Sequence, residues 1–248
     1  MKISIILATY NAEKHLERAL ASIFCQTYPN YELIVQDGAS QDNTLEILKK
    51  YMPHGGWRSE KDTGIYEAWN KALERATGDW CLFLGADDCL IGENTLVRCY
   101  HHMKRLPKDI LFVYGALAKG IAGQVQNLDN VPLVEAYRRF TGNLGIPFPA
   151  TFVRLDLAKK CKFDDSYKIA GDFDFVARYL RSDNITRIPL VVSYMEQGGM
   201  SSSAATRPLL LEERGRVLRE HILPKAQEVI LGCIKHYMNA DTSLECLS

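Results

Sequence analysis

Along the first 114 residues the apolar positions switch repeatedly between a period of two and a period near four, so strands and helices are expected to alternate. Ile3-Ser4-Ile5-Ile6-Leu7-Ala8 is an almost unbroken β-branched run, the pattern of a central strand covered on both faces. Asn11 is placed to cap a following helix in which Leu16, Ala19, Leu20, Ile23 and Phe24 fall on one side. After the turn at Tyr28-Pro29-Asn30, residues 32–36 read as a second strand that closes in Asp37-Gly38-Ala39-Ser40. Asp42 or Ser40 then starts a helix with Leu45, Leu48 and Tyr51 on its apolar face. The Gly-rich, charged connection 54–64 has too few apolar residues to be a core strand along its whole length. Ile65, Ala68, Trp69, Ala72 and Leu73 mark the next helix, which stops at Thr77-Gly78. Residues 80–84 follow as a buried strand, Leu96, Val97, Tyr100 and Met103 as a helical stripe, and residues 110–114 as another strand.

This alternation predicts an α/β fold built on a doubly wound, mostly parallel sheet with right-handed crossovers and helices on both faces. From Gly115 the regularity fades, and Gly120, Gly123, Gly142, Gly145, Pro132, Pro147 and Pro149 predict loops and short antiparallel strands that shape a second binding site. Residues 170–180 read as a loop entering a helix, with Asp172 and Asp174 in a first turn where the helix dipole favours negative charge. Beyond Ser201-Ser202-Ser203 the chain reads as mainly helical, with a break at Pro224.

Composition narrows the class. A chain of 248 residues can bury a substantial single core. Lys+Arg and Asp+Glu both number 30, and zero net charge removes the electrostatic footprint of a nucleic-acid binder. Cysteines 25, 81, 89, 99, 161, 233 and 246 are scattered, with no zinc-site spacing, and fit reduced, mostly buried thiols. The opening apolar run is too short for a signal peptide and no segment reaches bilayer-spanning length, so a cytoplasmic location is expected. Toward the C-terminus Leu209, Leu210, Leu211, Val217, Leu218, Ile222 and Leu223 interleave with Arg207, Arg214, Arg216, Arg219 and Lys225. That mixture suits either packing against the core or peripheral contact with an anionic inner leaflet.

Candidate chemistry begins with exclusions. The first strand runs into Ala-Thr-Tyr-Asn rather than a GxGxxG turn, and neither a P-loop nor a GxSxG elbow occurs. What remains is carboxylates at three points: Asp37, the adjacent Asp87 and Asp88, and Asp172 or Asp174. A parallel sheet brings the first two points to one edge, where α/β proteins bind ligands. Paired aspartates are hard oxygen donors, and Mg²⁺ binds through one or two carboxylates together with substrate phosphates, so a nucleoside-diphosphate site is the natural inference. Each aspartate taken singly also reads as an ordinary turn or cap residue.

The stretch 4–44 (SIILATYNAEKHLERALASIFCQTYPNYELIVQDGASQDNT), then DTGIYEAWNKAL, ATGDWCLFLGADD and AGDFDF, resemble in this order the signature blocks of family 2 inverting glycosyltransferases of the GT-A fold. The resemblance spans residues 2–205 and is nearest to bacterial members that build capsule, exopolysaccharide or O-antigen, a subset that the 198–203 stretch GGMSSS also fits. It implies a UDP- or GDP-sugar donor with base and ribose near Tyr10 and Asp37, and with Asp62 and Asn70 lining the donor side. It further implies Mg²⁺ or Mn²⁺ bridging the diphosphate to Asp87 and Asp88, and Asp172 as general base toward a glycan or lipid-linked acceptor. The implied division is a GT-A-like domain over 1–205, with a nucleotide-sugar half (1–114) and an acceptor half (115–205), and a helical segment over 206–248. Asn70 reads equally as a helix residue bonding to backbone, and Trp69 and Trp80 read as core. The chain departs from the family pattern at Gly38 and Gly85, where many relatives carry acidic residues, at Gly171, and at Phe148-Pro149. A sugar nucleotidylyltransferase would need a Gly- and Arg-rich loop after the first strand, which Ala8-Thr9-Tyr10-Asn11 is not. A non-catalytic nucleotide-sugar or carbohydrate-binding protein of the same fold is the remaining alternative, with Gly85 its best argument.

Overall fold

A computed structural model describes residues 1–130, 146–179, 183–199 and 203–224. Strand β1 (Ile3–Thr9) is buried at every position and lies between β2 (Tyr31–Asp37) and β4 (Trp80–Gly85), parallel to both. The three-residue β3 (Trp57–Ser59) adds a short parallel edge beside β2, all that the charged 54–64 connection contributes to the sheet. Helices α1 (Leu16–Phe24), α2 (Thr44–Tyr51) and α3 (Ile65–Arg75) make the crossovers. Side chains alternate between two apolar clusters, Ile3, Ile5, Leu7, Leu82 and Leu84 on one face and Ile6 and Phe83 on the other, so the sheet is covered on both sides.

Past β4 the sheet changes character. The later elements are β5 (Asp88–Leu90), α4 (Thr95–Met103), β6 (Phe112–Ile121), β7 (Gln124–Asp129), β8 (Thr151–Arg154), α5 (Leu155–Cys161), α6 (Gly171–Tyr179), β9 (Ile185–Glu196) and α7 (Arg207–Val217), which continues into a π-helical turn, Leu218–Ile222. Among the described residues the strand order is β3-β2-β1-β4-β8-β6-β9-β5, with β7 paired to β6. Here β8 is antiparallel to both β4 and β6, β9 runs parallel to β6, and β5 is antiparallel to β9.

Two expectations need correction. Asn11 does not cap α1: the helix starts at Leu16, while Asn11 sits at φ 46 and its side chain accepts the Gln41 N–H at 2.9 Å. Asn tolerates the left-handed region, and its amide here ties the loops after β1 and β2 together. The second half does not contain only short strands, since β6 has 10 residues and β9 has 12. Pro189 hid β9: lacking an N–H, it falls where the pairing with β6 shifts register, so one long strand looks interrupted in sequence. Phe148 is a core residue, 4% exposed and stacked on Phe83 at 5.6 Å.

Trp69 and Trp80 are buried as core residues, Trp80 beneath the Arg154 guanidinium at 4.3 Å. Cys81, Cys89 and Cys99 are buried free thiols, whereas Cys25 is exposed. Val217 and Ile222 join the same apolar cluster as Trp69 and Phe175, while Leu209, Leu211 and Leu223 are exposed. Among the described residues no helix is long and apolar enough to cross a membrane. The expected glycine and proline loops at Gly142, Gly145 and Pro132, the residues Leu180, Ser201, Ser202, Lys225, Cys233 and Cys246, and the segment past Pro224 lie outside the described residues.

Candidate active site

Pairing registers set Thr9 beside Asp37 and Ala8 beside Gly85, so the ends of β2 and β4 reach the same sheet edge on either side of β1. Tyr10, immediately after β1, is 66% exposed there.

Asp37 faces inward. It is 0% exposed and accepts the Thr9 hydroxyl at 2.9 Å, the Ser40 hydroxyl at 2.5 Å, the Ser40 N–H at 2.9 Å and the Ser59 hydroxyl at 2.6 Å. Those hydrogen bonds replace solvent for a buried carboxylate and hold three strand ends together. Its neighbour Gly38 makes room for Asp62, because a Cβ on Gly38 would lie 2.8 Å from Asp62 Oδ2. Asp62 accepts the Gly64 N–H at 3.0 Å, and burial pushes its carboxyl up. The Asp62 carboxylate, from the loop before α3, thus fills the space that a side chain at 38 would take. Asn70 is committed elsewhere: its amide donates to Phe163 O at 2.8 Å and accepts the Phe163 N–H at 2.9 Å, pinning the loop that leads toward Asp172.

At the end of β4 the balance is different. Asp88 is 4% exposed; Oδ2 accepts the Gly85 N–H at 2.8 Å, while Oδ1 is buried with no partner among the described residues. Burial, reinforced by the Asp87 charge, pushes the Asp88 carboxyl up to about 8. Asp87 is half-buried, its carboxylate close to Gly85 and Gly199, where added Cβ atoms would lie 2.8 and 3.4 Å from Oδ1 and Oδ2. An acidic side chain at 85 would therefore compete with Asp87 for the same space. The Arg18 guanidinium, paired with Glu196 at 2.6 Å, donates to the Asp87 carbonyl at 3.2 Å and fixes this turn. No group of three or more His, Cys, Asp or Glu gathers among the described residues. Two adjacent carboxylates with an orphaned oxygen fit a hard divalent cation that takes its remaining ligands from a diphosphate and water.

Helix α3 connects this edge to the second half. Trp69 Nε1 donates to Leu84 O at 3.3 Å, and one turn earlier Tyr66 OH donates to Ile169 O at 2.7 Å and reaches Asp172 Oδ1 at 3.4 Å. Tyr66 also explains Gly171, since a Cβ there would lie 2.8 Å from its ring. Asp172, in the first turn of α6, is partly buried and accepts the Phe173 N–H at 2.8 Å; desolvation pushes its carboxyl up, as suits a proton acceptor. Asp174 points elsewhere, to Arg178 at 2.8 Å and His221 at 3.0 Å. Sequence reasoning missed Arg18 and Tyr66. Tyr66 lies inside the DTGIYEAWNKAL block, which was its signal, while Arg18 had none on a helix otherwise read for its apolar stripe.

A parallel sheet with acidic strand ends, completed by a mixed second half carrying Asp172, defines a GT-A glycosyltransferase scaffold. The family profile described as Glycosyl transferase family 2 matches residues 4–153, and the chain belongs to that family. It is 33% identical over 220 residues to a PGL/p-HBAD biosynthesis glycosyltransferase of Mycobacterium bovis (strain BCG / Pasteur 1173P2), covering 84% of this chain and 82% of the relative. It is 32% identical over 200 residues to the poly(ribitol-phosphate) beta-glucosyltransferase of Bacillus spizizenii, covering 75% of this chain and 31% of that one. In structure it resembles S. aureus TarS 1–349 in complex with UDP-GlcNAc (TM-score 0.66, 23% identity), covering 84% of this chain but 64% of that one. It also resembles a mannosyltransferase of Pyrobaculum calidifontis in complex with GDP-Man and Mn²⁺ (TM-score 0.57, 17% identity), covering 94% of this chain and 79% of that one.

Proposed function

We propose that this glycosyltransferase transfers a sugar from a UDP- or GDP-sugar, with inversion, to a hydroxyl of a glycan or lipid-linked acceptor in the synthesis of a cell-surface glycan. The observation that carries the reading is the buried, partnerless Oδ1 of Asp88 beside Asp87 just past β4, with one helix reaching the end of that strand through Trp69 on Leu84 O and Asp172 through Tyr66. The names of the mycobacterial and Bacillus relatives support a surface-glycan product. Neighbouring structures holding UDP-GlcNAc, or GDP-Man with Mn²⁺, support a nucleotide-sugar donor and a divalent cation.

Asp87 and Asp88 would hold the cation, and Tyr10 and Asp62 would line the donor side. When bound, the cation supplies charge neutralisation for the departing diphosphate. Asp172 accepts the proton of the acceptor hydroxyl as that oxygen bonds to the anomeric carbon; the bond from this carbon to the diphosphate oxygen breaks on the opposite face, and the nucleoside diphosphate leaves with the electron pair. One base and one leaving-group stabiliser suffice, unlike a glycosidase with its two carboxylates flanking the bond. Residues 1–205 form the transferase unit in this reading, and the helix Arg207–Val217 packs against it.

Screening UDP- and GDP-sugars for turnover identifies the donor, and Asp172→Asn then tests the base. The variant is expected to bind nucleotide as wild type does and to lose transfer by about 10²–10⁴-fold. Loss of nucleotide affinity with normal turnover of bound donor would remove Asp172 from that role.

A further inference from the structure

Three backbone N–H groups just ahead of Asp172 converge on one carboxylate from a distant part of the chain. Glu213, on α7 and 8% exposed, accepts from Lys168 N at 2.7 Å through Oε1 and from Ile169 N at 2.9 Å and Ala170 N at 2.8 Å through Oε2. These residues lead directly into Gly171, where α6 begins, so one helix supplies an anionic cap to the start of another. The opposite side of the same loop is held by Tyr66 OH on Ile169 O and by Lys168 Nζ on Thr63 O at 2.9 Å. Arg216 adds contacts to Ser166 Oγ at 2.9 Å and Asp164 at 3.3 Å, and His221 meets Asp174 at 3.0 Å. The C-terminal segment thus grips the chain on both sides of Asp172.

Packing alone does not call for this arrangement. An apolar residue would join α7 to the core without the desolvation cost of a carboxylate. Among the described residues Glu213 spends its hydrogen bonds on the loop that leads into Asp172, and misplacing a reacting group by about 1 Å costs on the order of 10²-fold in rate. We propose that Glu213 is a positioning residue for the transfer step, its carboxylate fixing residues 168–170 and through them the aim of Asp172 at the acceptor hydroxyl. The inference rests on the reading of Asp172 as base.

The test compares Glu213→Ala, Glu213→Gln, Asp172→Asn and the Glu213→Ala/Asp172→Asn double variant with wild type. The readouts are kcat and KM for the donor found in the sugar-nucleotide screen, affinity for UDP and GDP, and hydrogen exchange of the 168–173 amides. Glu213→Ala is expected to lower kcat by about 10–100-fold while donor KM and nucleotide affinity stay within about twofold, and to speed exchange at 168–173. Glu213→Gln should fall between, because an amide oxygen retains part of the cap; it decides the matter alone should Glu213→Ala fail to fold. In the double variant, loss of Glu213 should cost no further residual turnover. Wild-type kcat in the Glu213 variants beside an inactive Asp172→Asn overturns this inference and leaves the base reading standing. So does a loss of nucleotide affinity as large as the loss of kcat, or an additive double variant. Wild-type transfer by Asp172→Asn sinks the base reading, and the proposal with it.

Discussion

Asp37 and Asp88 stand at the same sheet edge on either side of β1, and both are withdrawn from solvent, yet their surroundings are opposite. Asp37 accepts from Thr9, Ser40 and Ser59, so its charge is answered by the fold itself. Asp88 has one backbone donor, a like charge beside it and a buried oxygen with no partner among the described residues. The same residue type is a structural knot at the end of β2 and is left short of donors just past the end of β4. What separates them is the supply of nearby donors, since an unsatisfied buried carboxylate persists in a fold only where something else completes it.

Removing the knot should have the largest effect on stability. Asp37→Ala leaves the Thr9, Ser40 and Ser59 donors unpaired and should lower unfolding free energy by about 3 kcal/mol in urea titration. A loss below about 1 kcal/mol would mean that the buried bonds to Asp37 do not hold the strand ends together.

The change at the other acidic turn should be of opposite sign. Folding raises the Asp88 carboxyl to about 8, through burial first and Asp87 second, while the unfolded chain keeps the ordinary carboxylate value near 4. The folded state therefore holds its proton more tightly, and metal-free stability drains away as pH climbs from about 4 to about 8 and is flat beyond either limit. Asp88→Asn removes that penalty: the metal-free variant should match wild type near pH 4 and be the more stable of the two at pH 8. Equal stability of the two proteins at pH 8 would show that Asp88 is satisfied in solution.

Much of this contrast could be placed from sequence but not resolved by it. The period-two runs gave the central strands, and parallel pairing alone dictated that Asp37 and Asp87-Asp88 share an edge. Nothing in the linear pattern distinguished their roles, because Thr9 and Ser59 reach Asp37 from other strands and only folding brings their hydroxyls to it. Gly38 and Gly85 stood out in sequence for the same reason: their missing side chains leave volumes that Asp62 and Asp87 occupy, which only the fold reveals. Asn70 was ambiguous for want of its partner, Phe163, and Glu213 was invisible because it acts on residues more than 40 positions earlier. Pro189 hid the longest strand, since a bulge that absorbs a missing donor looks in sequence like a strand end.

The central claim is that the end of β4 is a cation-dependent diphosphate site, and calorimetry of UDP and GDP binding with and without Mn²⁺ tests it most directly in wild type and Asp87→Asn. Mn²⁺ is expected to tighten binding of at least one nucleotide by about tenfold or more in wild type and to leave the folded Asp87→Asn variant unaffected. Nucleotide binding that ignores Mn²⁺ in wild type, or that responds to it equally in the variant, would contradict the account.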